Sequence, residues 1–334
     1  MIVAEKKAPI AERLMNGDRN AVARLITWAE NGDGRFPKAL AQFYPQVGKA
    51  RRLGVTGPPG AGKSTLVNEL VGHLRTQDRS VGVLAVDPSS PFTGGALLGD
   101  RIRMESRTSD PKVFIRSMAS RSSHGGLARA TIDACDVMDA FGFDDVLVET
   151  VGVGQAEYDV VSAADTVVVV LCPGAGDSIQ AMKSGLLEVA DVLVVNKDDM
   201  PGAQRLAADL GEAIHIRLAG RGKWITPVVM CSAGRGTGIE DVAKAIEEHR
   251  SFLGEMGLKQ ARNTKRVGQV RMVASEWVDQ AVWSPEPRWN GTTCAAHVQQ
   301  ELSAGSTPYD IARNLRDAIM AGKLQDQPEL REQA

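Results

Sequence analysis

A glycine-rich segment at residues 57–65 constrains this chain more than any other feature. It follows the short apolar run 53–56 and precedes a helical pattern led by Leu66, Val67 and Leu70. Its spacing of Gly, four residues and Gly-Lys-Ser, set between a strand and a helix, is the Walker A pattern. A glycine-rich turn without a ligand is the alternative. The context favours a phosphate-binding loop, because glycines let backbone N–H groups face an anion at the positive end of a helix.

Each residue of this segment is a candidate for nucleotide binding. Lys63 adds a full positive charge and is a candidate catalytic residue, and the Ser64 hydroxyl is a candidate Mg²⁺ ligand. The predicted binding residues are Gly57, Pro58, Pro59, Gly60, Ala61, Gly62, Lys63, Ser64 and Thr65.

Composition narrows the classes of protein that the chain can belong to. With 39 Lys and Arg against 41 Asp and Glu in 334 residues, it lacks the clustered positive charge of a general nucleic-acid binder. No apolar run reaches the roughly 18–20 residues of a membrane span. The four cysteines are far apart, and the amino terminus lacks a signal-peptide core. We therefore expect a soluble, cytoplasmic protein with reduced thiols.

Short apolar runs alternate with helical patterns from residue 53 to residue 231. Near-continuous apolar runs are typical of parallel strands that are buried on both faces. The pattern predicts an α/β fold with a doubly wound, mostly parallel sheet of seven strands that binds its ligand at the carboxyl ends of the strands. The predicted strands are 53–56, 81–87, 113–117, 146–149, 166–171, 192–195 and 228–231.

The flanking regions read as helical, which gives three predicted domains: an amino-terminal helical extension at 1–48, a P-loop domain at 49–258 and a carboxy-terminal helical arm at 259–334. A helix is expected over 264–283, and Thr307-Pro308 opens another. The Pro-rich connector between them carries Trp283 and Trp289, which either form a partner surface or pack on the chain itself.

A second motif, Asn-Lys-Asp-Asp at 196–199, ends the strand at 192–195. A carboxylate such as Asp199 accepts two hydrogen bonds from the ring N1–H and the 2-amino group of guanine, which adenine does not present. Asn196 would hold the base edge and Lys197 would lie along the ring. Ser232 and Ala233, after the last strand, suit a backbone contact to the guanine oxygen. A solvated turn is the alternative.

Carboxylates at strand ends provide candidates for a metal site. Asp87 and Glu149 each close an apolar strand, where a buried carboxylate is costly unless it faces a cation. Helix capping by Asp87 and pairing of Glu149 with an arginine are the structural alternatives. The segment from Glu149 to Gly152 stands where many GTPases have D-x-x-G, so Gly152 is placed to sense a γ-phosphate.

Two segments without strong periodicity are candidate switch loops. The first, 88–103, carries Asp100; the second, 173–183, carries Lys183, which is placed to neutralise phosphate charge. Gln155 is a candidate for orienting the attacking water. With no assignable arginine finger, slow intrinsic turnover is expected.

With these residues in view, the chain closely resembles the MeaB/ArgK/MMAA family of P-loop GTPases. The resemblance rests on GPPGAGKSTL at 57–66, VLAVDPSSPFTGGALLGDRIRM at 83–104, SHGGL at 123–127, VETVGVGQAE at 148–157 and NKDDM at 196–200. Members are chaperones of adenosylcobalamin-dependent methylmalonyl-CoA mutase. The resemblance covers residues 10–330.

The resemblance implies a GTP/GDP- and Mg²⁺-dependent GTPase that is weak alone and stimulated by the mutase. It also implies a homodimer joined through the carboxy-terminal arm, control of cobalamin loading and protection of the mutase, with the adenosyltransferase as a further candidate partner. Asp87, Asp100 and Glu149 match positions near Mg²⁺, and 173–183 matches a switch loop that responds to the mutase.

Other functions remain open from the residues alone. A nickel-insertion GTPase needs a Cys/His element, and Cys172-Pro173-Gly174 lacks a histidine after Cys-Pro. A small-molecule kinase would leave the Asn-Lys-Asp-Asp motif unexplained, and a scaffold would bind nucleotide without turnover. An isobutyryl-CoA mutase is an alternative client.

Overall fold

The computed structural model describes residues 8–87, 107, 109–119, 126–150, 156–174, 185–218, 224–283, 288–289 and 292–322. These residues form two compact units, the first extending to Arg266 and the second beginning at Val267. None of the helices in these ranges has both the length and the apolar character needed to cross a membrane.

A seven-stranded sheet forms the centre of the first unit. Its order is β3-β2-β4-β1-β5-β6-β7, and all neighbouring strands are parallel. Strands that follow one another in the chain are joined by crossover connections, and the strand order runs outward from β1 in both directions. The sheet is therefore doubly wound, as the sequence predicts. The strands are β1 (Arg51–Thr56), β2 (Val81–Asp87), β3 (Val113–Ala119), β4 (Asp145–Thr150), β5 (Thr166–Leu171), β6 (Val192–Asn196) and β7 (Val228–Cys231).

Helices cover both faces of this sheet. The amino-terminal helices belong to the first unit, because α2 (Arg19–Glu30) packs on α5 (Gly126–Phe141) and Arg116 of β3 donates to Glu30 of α2 at 2.6 Å. The helices are α1 (Ile10–Met15), α2 (Arg19–Glu30), α3 (Arg35–Phe43), α4 (Lys63–Thr76), α5 (Gly126–Phe141), α6 (Ala156–Ala163), α7 (Leu186–Val189), α8 (Ala203–Leu218) and the first part of α9 (Ile239–Trp283).

Apolar side chains from alternate strand positions fill two layers. One layer packs β1, β4, β5 and β6 against α4 and the start of α9, and includes Val55, Leu66 and Val242. The other packs β5 and β6 against α7 and α8, and includes Leu171 and Leu210. Burial on both faces explains why these strands read as continuous apolar runs.

A buried ion network joins β1, α5 and α9. Arg52 donates to Asp136 at 2.8 Å and to Asp139 at 2.9 Å, and Arg266 donates to Asp136 at 2.7 Å. Asp139 also accepts the backbone N–H of Gly48 at 2.9 Å. Since buried charges are tolerated only when they are paired and hydrogen-bonded, this network fixes the register of α5 against β1.

The helical run α9 differs from the prediction. Gly254, at φ 58° and ψ −179°, interrupts it, and the second helical stretch begins directly afterwards rather than at Thr264. The predicted start is wrong because the intervening turns carry no apolar stripe. Their polar side chains have partners instead: Arg262 donates to Asp165 at 2.8 Å.

The second unit contains the remainder of α9, α10 (Cys294–Ser303) and α11 (Pro308–Met320). Thr307 caps α11 by accepting the N–H of Asp310 at 3.2 Å, and Pro308 occupies the first turn, as the sequence predicts. Where the sequence indicates only a connector, strands β8 (Arg288–Trp289) and β9 (Thr292–Thr293) form an antiparallel pair.

Candidate nucleotide-binding site

The loop between β1 and α4 lies at the carboxyl edge of the sheet and needs glycine at two positions. Gly57 has φ 137°, and a Cβ there would lie 2.1 Å from the carbonyl oxygen of Val170. Gly62 has φ 91°, and a Cβ there would lie 2.3 Å from Nδ2 of Asn196. A side chain at either position would displace a neighbouring strand end, so the sequence spacing of these glycines has a steric cause.

Lys63 is the first residue of α4 and is buried beneath the loop. Its Nζ donates to the carbonyl oxygens of Gly57 at 2.7 Å and Pro58 at 3.0 Å. The ammonium group therefore lies within the loop, at the positive end of the α4 dipole, where an anion would find both charges together. On the open side of the same segment, Pro59, Gly60 and Thr65 are exposed.

Ser64 and Glu149 are in contact. The Ser64 hydroxyl donates to Oε1 of Glu149, and both residues are buried, with Glu149 only 1% exposed. They meet because β4 lies beside β1, with Glu149 opposite Val55. A hydroxyl and a carboxylate side by side are the oxygen donors that Mg²⁺ prefers.

Several predicted residues fall outside what the structure describes. Asp87 ends β2, next to β4, but its side chain is not among the described ones. Asp100, Gly152, Gln155 and Lys183 lie outside the described residues. Their assignment to metal, phosphate or water remains a prediction from the sequence.

The Asn-Lys-Asp-Asp segment is bonded directly to the loop. Nδ2 of Asn196 donates to the carbonyl oxygen of Ala61 at 2.8 Å, and Nζ of Lys197 donates to that of Gly60 at 2.8 Å. Oδ1 of Asn196 accepts the N–H of Ala233 at 2.9 Å. Lys197 has φ 59°, a left-handed conformation that costs a non-glycine residue energy and that clusters at functional sites.

Asp199 lies on the far side of this segment. Its carboxylate accepts the Ser232 hydroxyl at 2.8 Å and lies 3.0 Å from Arg235. The Ser232 hydrogen bond holds the pKa of Asp199 below its ordinary value, and Arg235 and Lys197 act in the same direction against partial desolvation. The carboxylate is therefore ionised near neutral pH and can accept hydrogen bonds.

Two partners in this site are not indicated by the sequence motifs. Arg235 pairs with Asp199, and Cys231 lies 3.5 Å from Oδ1 of Asn196, with a pKa raised to about 12 by burial. The one local signal for Arg235 in the sequence is its position three residues after Ser232. Within the described ranges, no three His, Cys, Asp or Glu residues group as metal ligands.

A glycine-rich loop that joins a central strand to a helix, at the carboxyl edge of a doubly wound parallel sheet, defines the class of P-loop nucleotide-binding proteins. The family model for the methylmalonyl Co-A mutase-associated GTPase MeaB matches residues 22–286. The chain belongs to the MeaB family.

Individual relatives agree with this family. GTPase ArgK of Escherichia coli is 37% identical over 283 residues, covering 81% of this chain and 86% of the relative. The mouse methylmalonic aciduria type A homolog, a mitochondrial protein, is 34% identical over 273 residues, covering 75% of this chain and 66% of the relative. The crystal structure of a LAO/AO transport system kinase superposes with a TM-score of 0.70 at 29% identity, covering 93% of this chain and 96% of that one.

The names of the family and of its relatives identify the class of activity. Both the family description and the ArgK relative carry the name GTPase. The chain is therefore a GTPase that binds guanine nucleotides, as the two sequence motifs predict.

Proposed function

We propose that the site holds GTP and GDP between the P-loop and the Asn-Lys-Asp-Asp segment. Lys63 and the backbone N–H groups of the loop, which Pro58 and Pro59 lack, would bind the β- and γ-phosphates, and Asp199 would accept the two donors of the guanine edge. The observation that carries this proposal is the pair of 2.8 Å hydrogen bonds from Asn196 to Ala61 and from Lys197 to Gly60. They tie the proposed base-binding segment to the proposed phosphate-binding loop.

We further propose that the site uses Mg²⁺, held by Ser64 and Glu149, with Asp87 and Asp100 as additional candidates. The contact between the Ser64 hydroxyl and the buried Glu149 carboxylate supports this assignment, because both are oxygen donors at the first turn of α4. When bound, the ion would neutralise charge on the phosphates. The Ser64 hydroxyl donates a hydrogen bond to Glu149, so the two proposed ligands lie side by side.

The activity is proposed to serve an adenosylcobalamin-dependent methylmalonyl-CoA mutase. In this role the GTPase would control cobalamin loading and protect the mutase, with the adenosyltransferase as a further candidate partner. The family description, which names a methylmalonyl Co-A mutase-associated GTPase, and the methylmalonic aciduria name of the mouse relative support this partner. Four buried free cysteines support the cytoplasm as its compartment.

We propose that two copies pair through the arm at 259–334. Val267, Val270 and Trp277 are each at least 60% exposed on the second stretch of α9, and apolar side chains of this size favour burial against a partner. Light scattering of the full chain and of a Val270→Glu, Trp277→Glu variant tests this pairing. A dimer that persists unchanged in the variant would contradict it.

Phosphate release from GTP, with and without purified methylmalonyl-CoA mutase, tests the chaperone proposal. Stimulation by the mutase, together with a complex in light scattering, is expected. Absence of both would remove the chaperone role and leave the GTPase. Isobutyryl-CoA mutase in a parallel assay distinguishes the alternative client.

A small-molecule kinase is the second candidate, because a related structure is that of a LAO/AO transport system kinase. Equilibrium binding of GTP, GDP and ATP separates the two functions. The guanine site requires ATP to bind far more weakly than GTP, and comparable affinities would overturn it.

A further inference from the structure

A cavity of about 550 Å³ lies in the first unit at the amino ends of the strands, on the edge opposite the P-loop. It is bounded by β1, β4 and β5, by the last turns of α4 and by the first stretch of α9. Its volume falls within the roughly 300–1,000 Å³ of small-molecule sites. No motif in the sequence points to it, and the nucleotide site does not use it.

The walls of this cavity are mainly apolar. Leu53 and Leu147 come from the sheet, Leu70 and Leu74 from α4, and Ile246 from α9. An aliphatic chain of a ligand would therefore be removed from water along its length, at a gain of about 0.8 kcal/mol per CH₂ group.

One end of the cavity is basic. Both oxygens of Asp145 are occupied, by Arg51 at 2.7 Å and by Arg79 at 2.6 Å, and Arg51 also pairs with Glu247 at 2.8 Å. Arg250, on the next turn of α9, lines the same end. Its guanidinium makes no hydrogen bond or ion pair with any residue in the described part of the chain.

The surroundings of Arg250 make its charge costly. Burial lowers the pKa of its guanidinium below the ordinary value, and repulsion from Arg51 and Arg79 acts in the same direction, while Glu247 and Asp145 oppose them. The side chain nevertheless stays protonated at neutral pH, because arginine is not deprotonated in proteins. An anion placed here would relieve that cost.

A second cavity, of about 290 Å³, shares Arg51 and Arg250 with the first. Its lining is mainly polar and adds Lys49, Arg79 and Asp144. The two compartments thus meet at the guanidinium groups, with an apolar space on one side and a hydrated, basic space on the other.

Charged side chains of both signs surround this junction. The cations are Lys49, Arg51, Arg79 and Arg250, and the carboxylates are Asp144, Asp145 and Glu247. A further carboxylate, Asp139, lines the polar cavity but is already bonded to Arg52 and to backbone N–H groups. At the opposite end of the apolar cavity, Glu240 and Lys244 carry opposite charges. Arg51 and Arg79 pair with Asp145, whereas the Arg250 guanidinium has no hydrogen bond or ion pair in the described part of the chain, so one carboxylate of a ligand would supply its partner.

We propose that these joined cavities form a second ligand site, which binds a small carboxylate carrying an aliphatic chain. Arg250 receives the carboxylate, because its planar fork matches two carboxylate oxygens. The chain of the ligand lies along the leucines between α4 and α9. This site is independent of the nucleotide site, so either can fail without the other.

Equilibrium dialysis of radiolabelled octanoate against the GDP-loaded full chain tests the proposal. Saturable binding to one site is expected, with 1-octanol competing at least tenfold less tightly, since it has the same chain and no charge. Octyl phosphate, with up to two charges, is also expected to compete less tightly than octanoate. Tighter competition by octyl phosphate would overturn the carboxylate assignment.

Two variants locate the site. Arg250→Gln removes the unmatched charge and should weaken octanoate binding at least tenfold. Leu74→Phe fills the apolar space and should abolish binding. The matched control, Arg205→Gln, removes an exposed arginine of α8 and should bind octanoate normally.

All three variants should keep wild-type GDP affinity, which confirms that they fold. Absence of octanoate binding to the wild type would overturn the proposal, as would equal binding of octanol. Binding that survives both Arg250→Gln and Leu74→Phe would also overturn it.

Discussion

Replacement of Gly62 by alanine should weaken GDP binding far more than the same replacement at Gly60. Both glycines have positive φ, at 91° and 74°. They differ in what an added methyl group would meet: Nδ2 of Asn196 at 2.3 Å for Gly62, and nothing within 4 Å for Gly60.

The structure gives the size of this difference. The left-handed backbone costs about 1–2 kcal/mol for alanine at either position, so this cost is shared. At Gly62 the methyl group must also push Asn196 away, which breaks its bonds to Ala61 and Ala233. Two neutral hydrogen bonds contribute about 1 kcal/mol each. The Gly62→Ala variant should therefore lose about 2 kcal/mol more of the free energy of GDP binding than the Gly60→Ala variant. That corresponds to GDP binding about 30-fold weaker.

Isothermal titration of GDP into both variants measures the difference directly. A double-mutant cycle with Asn196→Ala adds an internal control, because the methyl group at residue 62 has nothing left to displace in that background. Equal affinities of the Gly62→Ala and Gly60→Ala variants would contradict this steric effect, as would effects of Gly62→Ala and Asn196→Ala that simply add.

Three further predictions concern buried groups of the first unit. Glu149→Gln should slow GTP hydrolysis and remove its Mg²⁺ dependence in a phosphate-release assay, while GDP binding in EDTA stays at the wild-type level. Arg52→Met should destabilise the first unit by about 3–5 kcal/mol in urea unfolding, because it leaves the buried Asp136 with one cation fewer; a loss below 1 kcal/mol would contradict this. Since burial raises the pKa of Cys135 and Cys231 to about 12, iodoacetamide at pH 8 should leave both thiols unmodified until the chain is unfolded, as peptide mass spectrometry would detect.

Local patterns carry most of the information about the sheet. Each strand combines an apolar run with a turn signal, and β2, β5 and β7 have the bounds that the sequence predicts. The other strands extend by one or two residues, because polar residues such as Arg51 and Asn196 can pair in a ladder without adding to the apolar pattern.

Long-range ion pairs could not be predicted in this way. Arg52 and Asp136 are 84 residues apart, and Arg266 is a further 130 residues from Asp136. No spacing rule connects them, and each alone reads as an ordinary charged residue. For the same reason, the apolar pattern does not indicate a helix in the polar turns of α9 before Thr264.

The candidate site was predictable where chemistry follows from contiguous residues. The glycine loop and the Asn-Lys-Asp-Asp segment can both be located from spacing. Ser64 and Glu149, which the sequence proposes together as metal ligands, lie in contact. The pairing of Asp199 with Arg235 and the bonds that tie the two motifs together depend on how β1, β6 and β7 are ordered in the sheet.

The hydrogen bonds from Asn196 and Lys197 to the P-loop bear on nucleotide exchange in the proposed site. One short segment contacts the loop and belongs to the proposed base pocket. A displacement of residues 196–197 would therefore weaken the binding of phosphate and of guanine together. An exchange factor for this GTPase would need to displace only one segment, the turn between β6 and α8.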